Sequence, residues 1–200
     1  MTHELVVATH NPHKVREIER LLSRLDARVL SLADYPEIPE TPETGETFAE
    51  NARMKAAAVA RATGKWTLAD DSGLEIDALG GRPGTQSRRF AGEQATDADR
   101  IAKVLDLMAE VADDRRTARF HCAVAIAEPS GAVHEVGGAC EGRIASAARG
   151  SGGFGYDPIF LPAGESRTMA ELSIDEKNAI SHRGKALRAA MEMLRRLWES

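Results

Sequence analysis

Cysteine is nearly missing from this chain: Cys122 and Cys140 are the two in 200 residues. Two thiols cannot build a disulfide framework, and the expectation is a pair of buried, reduced side chains. Aromatic residues are also scarce, at 4%, so a pair of them in one loop stands out. Every apolar run is interrupted within a few residues, which excludes a bilayer-spanning helix and points away from a membrane. His3, His10, His13, His121, His134 and His182 show no zinc-type spacing, and neither a G-x-S-x-G nor a Walker A loop is present. A positive surplus is lacking too. The 26 Lys and Arg against 31 Asp and Glu leave a net charge of −5, which disfavours a nucleic-acid polymer as partner. A small phosphorylated ligand stays open, because it responds to local field. The opening stretch MTHELVVATHNPHK has no secretory cleavage pattern, so the expected location is cytoplasmic.

What is there suffices for a core. Hydrophobic side chains make up 42% of the chain, and no repeat or linker composition divides it, so residues 1–200 read as a single domain. Leu5 to Ala8 predict a short buried strand, followed by an Asn11 cap, Pro12 at the first helical position and a helix through Val15, Ile18, Leu21, Leu22 and Leu25. A Pro- and Glu-rich loop spans Tyr35 to Gly45. Thr47 and Glu50 have capping-box spacing and open an Ala-rich helix that Gly64 stops. Thr67 to Ala69 predict a strand delivering Asp70-Asp71-Ser72-Gly73 at its C-terminal end. Leu74, Ile76 and Ala78 suggest a further strand. Thr96 or Asp97 caps the next helix, and a hairpin turns at Pro129-Ser130-Gly131. Ser173 and Glu176 repeat the capping box, and a last helix carries Leu187, Met191, Leu194 and Trp198 on one stripe. Alternating strands and helices with one hairpin predict an α/β fold on a mixed sheet.

Four segments carry candidate chemistry. Thr9-His10-Asn11-Pro12-His13-Lys14 joins a helix N-terminus, whose free N–H groups favour phosphate, to a mobile positive charge; an ordinary capped helix with a solvated lysine is the bland alternative. Asp70 and Asp71 are adjacent acids, and adjacent strand residues point to opposite faces. One is therefore expected as metal ligand or base and the other as its support. Mg²⁺, with its taste for one or two carboxylates plus phosphate oxygens, is the matching ion, and Glu43 is an attractive second carboxylate. Gly152 to Asp157 offers a glycine loop with Phe154 and Tyr156 to stack on a base and Asp157 to accept from ring N–H groups. Lys177 and Ser181-His182-Arg183-Gly184 place cations in a helix's first turn, where the dipole disfavours them unless an anion or carbonyl faces them. Arg88-Arg89 reads equally as a solvated or a substrate-proximal basic pair.

Taken together, ATHNPHKVREI, TGETFAENARMKA, LADDSGLEIDALGGRPG, GTQSRRFAGEQATD, RFHCAVA, GSGGFGYDPIF and ELSIDEKNAISHRGKAL resemble, in that order, the inosine triphosphate pyrophosphatase family. The resemblance covers essentially the whole chain. It implies an elongated mixed sheet flanked by helices, two lobes with a nucleotide cleft between them, and a homodimer. It implies hydrolysis of (d)ITP, XTP and related deaminated purine triphosphates to monophosphate and pyrophosphate with Mg²⁺. By matching position, Thr9, His10, Asn11, Pro12, His13 and Lys14 hold the triphosphate. Glu43 and Asp71 bind metal, Asp71 is the proton acceptor, and Ser72 contacts substrate. Phe154, Gly155, Tyr156 and Asp157 meet base and sugar, Lys177 meets phosphate or base, and His182 with Arg183 reads the 6-oxo edge. His10 replaces the glycine that many members carry after the threonine. A nucleotide-binding sensor without turnover and a carboxylate-dependent phosphatase are the competing readings.

Overall fold

The computed structural model describes residues 3–23 and 25–199. Its order is β1 (His3–Val7), α1 (Pro12–Leu22), β2 (Ala27–Ser31), α2 (Phe48–Thr63), β3 (Trp66–Ile76), α3 (Asp97–Leu107), β4 (Thr117–Ala127), β5 (Val133–Ile144), β6 (Phe160–Pro162), α4 (Ile174–Ile180) and α5 (His182–Glu199). The strands form one mixed sheet in the order β2-β1-β3-β4-β5-β6. β1 runs parallel to both its neighbours, with Leu5 opposite Val29 and Trp66, while β5 and β6 are antiparallel.

The helix ends are chemically specified. Asn11 caps α1 by accepting from the backbone N–H groups of His13 and Lys14. Thr47 with Glu50, Thr96 with Asp99 and Ser173 with Glu176 form complete capping boxes on α2, α3 and α4. Gly64 ends α2 at φ 64°, a left-handed turn that glycine takes without steric cost.

Two expectations are corrected and one element is added. The addition is β2, a short strand whose stability comes from its parallel pairing with β1. Leu25 lies beyond α1, which Ser23 closes. The larger correction concerns Asp70-Asp71-Ser72-Gly73, expected at a strand end. β3 runs unbroken from Trp66 to Ile76 and carries all four residues in its middle. Ion pairs and hydrogen bonds to the two aspartates, described below, offset the low strand propensity of Asp and Gly.

Two compact units share these strands. The first comprises residues 1–71, 122–138 and 183–200, the second 72–121 and 139–182. In the first unit the strands are buried on both faces. Leu5, Val7, Leu68, Val124 and Ile126 pack against Ile18 and Leu22 of α1 and Ala186, Leu187 and Leu194 of α5. The intervening residues Val6, Ala8, Ala69, Ala125 and Ala127 pack against Ala52, Ala56, Val59 and Ala60 of α2. This is the period-two alternation of a strand sandwiched between helices. Each fully buried Leu, Ile or Val contributes about 1.5–3 kcal/mol. The second unit has its own core, built on Leu74, Ile76, Val104, Met108, Phe120, Tyr156, Ile159 and Phe160. Within it the buried Arg116 guanidinium donates to the carbonyls of Ile144, Met108, Val111 and Ala145 at 2.6–3.2 Å.

Candidate active site

The alternation along β3 decides what each aspartate meets. Asp70 follows Leu68 and so faces α1 and α5. Its Oδ2 lies 3.0 Å from Lys14 Nζ and accepts from Arg183 Nε and Nη2 at 3.2 and 3.1 Å. Asp71 follows Ala69 and faces α2. Its Oδ1 lies 3.1 Å from Lys55 Nζ, and its Oδ2 accepts from Asn51 Nδ2 at 3.2 Å. The two adjacent carboxylates thus meet different partners on opposite faces of β3.

Lys55 reaches a second acid. Its ammonium lies 2.9 Å from Glu43 Oε1, so Glu43 and Asp71 converge on one cation. The Glu43 loop is tied down nearby: Gly45 N–H donates to Asn51 Oδ1 at 2.8 Å, and Glu46 and Thr47 N–H donate to Glu50 Oε2. A Cβ on Gly45 would lie 2.7 Å from Glu50 Cβ, which explains a glycine there.

The two carboxylates titrate differently. Burial opposes ionisation of Asp70, but Lys14, Arg183 and Lys55 outweigh it and hold its carboxyl far below the usual carboxylate range. Burial also dominates at Asp71, where Lys55 and Lys14 pull down, Glu43 pushes up, and the net direction is upward. Asp70 is thus a fixed anion, and Asp71, 6% exposed, is the carboxylate readier to take a proton. Separated environments of this kind mark acid–base sites.

The segment expected to hold phosphate meets Asp70 through Lys14. Thr9 Oγ1 accepts from Asn11 N–H at 3.2 Å, Asn11 caps α1, and Lys14 sits in the first turn. His10, Pro12 and His13 are exposed. Arg183, expected at the edge of a base, is 2% exposed and anchored by Asp70 and by Glu17, whose Oε2 takes Nη1 at 2.7 Å. Burial works against the Arg183 charge, but the two acids prevail and raise its pKa.

The second unit holds the remaining expected residues. Asp157 Oδ2 accepts from Lys177 Nζ at 2.5 Å and from Phe154 N–H at 2.9 Å. The Lys177 ammonium also stands 4.8 Å from the centre of the Phe154 ring. Gly153 has φ 68°, and a Cβ there would fall 2.0 Å from Asp157 Oδ2, so the loop requires glycine at that position. His182 stacks on Phe120 at 4.6 Å. Ser72 follows on β3, half-buried. Tyr156 needs correction as a stacking platform. Its ring is 4% exposed within the core, its hydroxyl donates to Ser87 O at 2.8 Å, and burial pushes its pKa up. Phe154 remains as the aromatic of the loop that is not committed to the core.

Asn51, Lys55 and Glu17 join the site without a place among the sequence candidates. A signal existed for the first two: Asn51 and Lys55 are four residues apart, on or beside the apolar stripe of Ala52, Ala56 and Val59. Polar residues on the packed face of a helix call for a buried partner. Glu17 follows Lys14 by three residues on α1 and carried no such cue.

Fold and site together define an α/β protein with a paired carboxylate–ammonium centre beside a capped helix N-terminus, a combination suited to phosphate anions and divalent cations. The Ham1 family description matches residues 5–193, and the chain belongs to the Ham1 family. It is 52% identical over 195 residues to the dITP/XTP pyrophosphatase of Desulforamulus reducens, covering 98% of this chain and 97% of that one. It is 51% identical to the dITP/XTP pyrophosphatase of Bacillus subtilis, covering 96% of each. Among solved structures, a HAM1 protein from Coxiella burnetii superposes with a TM-score of 0.86 at 45% identity, covering 98% of this chain and all of that one.

Proposed function

We propose that this chain hydrolyses dITP, ITP and XTP to the monophosphate and pyrophosphate, removing deaminated purines from the nucleotide pool. The observation that carries the reading is the meeting of Glu43 and Asp71 on the Lys55 ammonium. Family membership and relatives named dITP/XTP pyrophosphatase support it.

The donor set fits Mg²⁺. Glu43 and Asp71 are hard oxygen ligands already gathered around one positive charge, and Mg²⁺ takes a pair of carboxylates together with phosphate oxygens and water. No larger His, Cys, Asp and Glu cluster occurs among the described residues, so substrate and water would complete the ligand set. When bound, the ion neutralises phosphate charge and lowers the pKa of a water ligand. The chain's own residues do the rest. Lys14 and the N–H groups at the start of α1, with the Thr9–His13 segment, hold the triphosphate. Asp70 fixes Lys14 through their ion pair. Asp71, with its pKa raised, orients water and accepts its proton at a carboxylate oxygen. Ser72 contacts substrate beside it. Phosphoryl chemistry of this kind depends mainly on positioning and charge neutralisation.

On the base side, Phe154 supplies the ring face, Gly155, Tyr156 and Asp157 shape the loop, and Lys177 contributes its charge. The family resemblance assigns donors toward the 6-oxo edge to His182 and Arg183. Such donors reject adenine, whose 6-amino group leaves them facing another donor, and mismatches of this sort discriminate by about 10⁴. We read the enzyme as a cytoplasmic homodimer. Among the described residues no helix is long and apolar enough to cross a membrane.

A panel of dITP, ITP, XTP, ATP and GTP with Mg²⁺, scored for rate and product, tests the reading. Pyrophosphate from the deaminated purines, with ATP a poor substrate, is expected. Binding without turnover would leave a nucleotide sensor; orthophosphate as direct product would leave a carboxylate-dependent phosphatase.

A further inference from the structure

The segment Gln94–Asp97 belongs to one of the seven family-like stretches, yet only Thr96 has a role so far, as the cap of α3. Asp97 is the next residue, and its carboxylate is divided. Oδ1 pairs with Arg100 one turn along the helix. Oδ2 leaves the helix altogether and accepts the backbone N–H of Gly155 at 2.7 Å, across 58 positions of sequence. An acid in a helix's first turn answers the dipole, which accounts for its presence but not for that distant partner. Arg100 holds the arrangement rigid, because its Nη1 also donates to the carbonyls of Arg88 and Ala95 at 2.9 and 2.6 Å.

The amide of Gly155 matters because of what precedes it. Phe154 N–H is taken by Asp157 at 2.9 Å, so the two amides on either side of the Phe154 Cα each end on a carboxylate. Gly153 and Gly155, both at positive φ, 68° and 63°, have no side chain with which to restrain the loop. Those two bonds hold the backbone on both sides of the Phe154 Cα, and the Lys177 ammonium stands over its ring. We propose that Asp97 is a positioning residue that fixes Phe154 for contact with the nucleobase, a role that rests on the reading of the Phe154 loop as the base contact. It acts through the Gly155 amide and touches no reacting atom.

Four variants of the full-length protein decide this. Asp97→Ala should raise the KM for ITP about tenfold, the weight of one hydrogen bond to a charged acceptor, with kcat within about twofold. In the free protein it should also speed hydrogen exchange across residues 150–157. Asp97→Asn, whose side-chain oxygen still accepts the Gly155 amide, should restore most of both. Thr96→Ala removes the cap without touching Gly155, and should lower Tm while leaving KM unchanged. An unaltered KM and unaltered exchange in Asp97→Ala would overturn the proposal. So would a KM rise of equal size in Thr96→Ala. Phe154→Ala separates the two claims. If it raises KM and Asp97→Ala does not, Asp97 loses its role while the base-contact reading stands. If Phe154→Ala leaves KM untouched, the base-contact reading falls and the proposed role of Asp97 falls with it.

Discussion

Asp70 and Asp71 stand side by side on β3 and take their cations from opposite faces, Lys14 at 3.0 Å and Lys55 at 3.1 Å. A strand's alternation thus turns one acidic dipeptide into two devices. One carboxylate is locked between Lys14 and Arg183; the other shares its ammonium with Glu43.

Amide substitutions should therefore separate the pair. Asp71→Asn keeps the shape of the side chain and one of its two acceptor oxygens, so binding of ITP should stay within a fewfold while kcat falls by orders of magnitude. Asp70→Asn leaves Lys14 and Arg183 facing a neutral amide in a buried site. Breaking a buried pair costs about 3–5 kcal/mol, which for a chain of this size lowers Tm by about 10 °C. Calorimetry beside steady-state kinetics checks both. A near-normal kcat in Asp71→Asn would remove that residue from the chemistry.

How much of this was legible from residues alone depended on range. The caps at Asn11, Thr47, Thr96 and Ser173 were readable because a cap is a contract between residues three positions apart. β2 was missed because Ala27–Ser31 becomes a strand through pairing with β1, and five residues of weak alternation do not announce a partner. Asp70-Asp71-Ser72-Gly73 has the composition of a turn, and it is a strand because Lys14, Arg183, Asn51 and Lys55 arrive from elsewhere in the chain. Tyr156 looked like Phe154, its neighbour in a glycine loop. Only the fold shows that one ring enters the core and ends on Ser87 O.

The same loop gives a paired test of backbone against space. Gly153 and Gly155 both have positive φ, so alanine at either meets a left-handed penalty of roughly 1–2 kcal/mol. They differ in what a Cβ meets: Asp157 Oδ2 at 2.0 Å for Gly153, and nothing within 4 Å for Gly155. Gly153→Ala should displace Asp157 from Lys177 and Phe154, raising KM for ITP well above the effect of Gly155→Ala. Equal KM values for the two variants would show that the Asp157 contacts do not govern the loop.

Cys122 should be chemically silent. Burial, and then the charge of Asp70, pushes its thiol up to about 12, so at pH 8 about one molecule in ten thousand carries the reactive thiolate. A thiol-specific disulfide reagent added to native protein at pH 8 should label neither Cys122 nor Cys140, both buried. Denaturant should release two thiols per chain. Rapid labelling of Cys122 in the native protein would contradict the environment described for Asp70.

Glu17 makes the last prediction. It lies on α1 three residues after Lys14, and its carboxylate and that of Asp70 hold Arg183 from two sides. Lys14, Arg183, Glu17 and Asp70 together are neutral, which is how four charges remain buried or nearly so. Glu17→Gln removes one negative charge but keeps an acceptor, so the Arg183 guanidinium stays in place with a weaker anchor. Stability should fall by about 3–5 kcal/mol. Arg183→Met, an apolar replacement, should cost a similar amount because Glu17 loses its guanidinium partner and Asp70 keeps only Lys14. The double variant Glu17→Gln/Arg183→Met should cost less than the sum, since the second change removes the charge the first left unbalanced. Urea titrations of the four proteins measure the coupling. Strict additivity would mean that Glu17 and Arg183 do not act as a pair, and that the guanidinium is held by Asp70 alone.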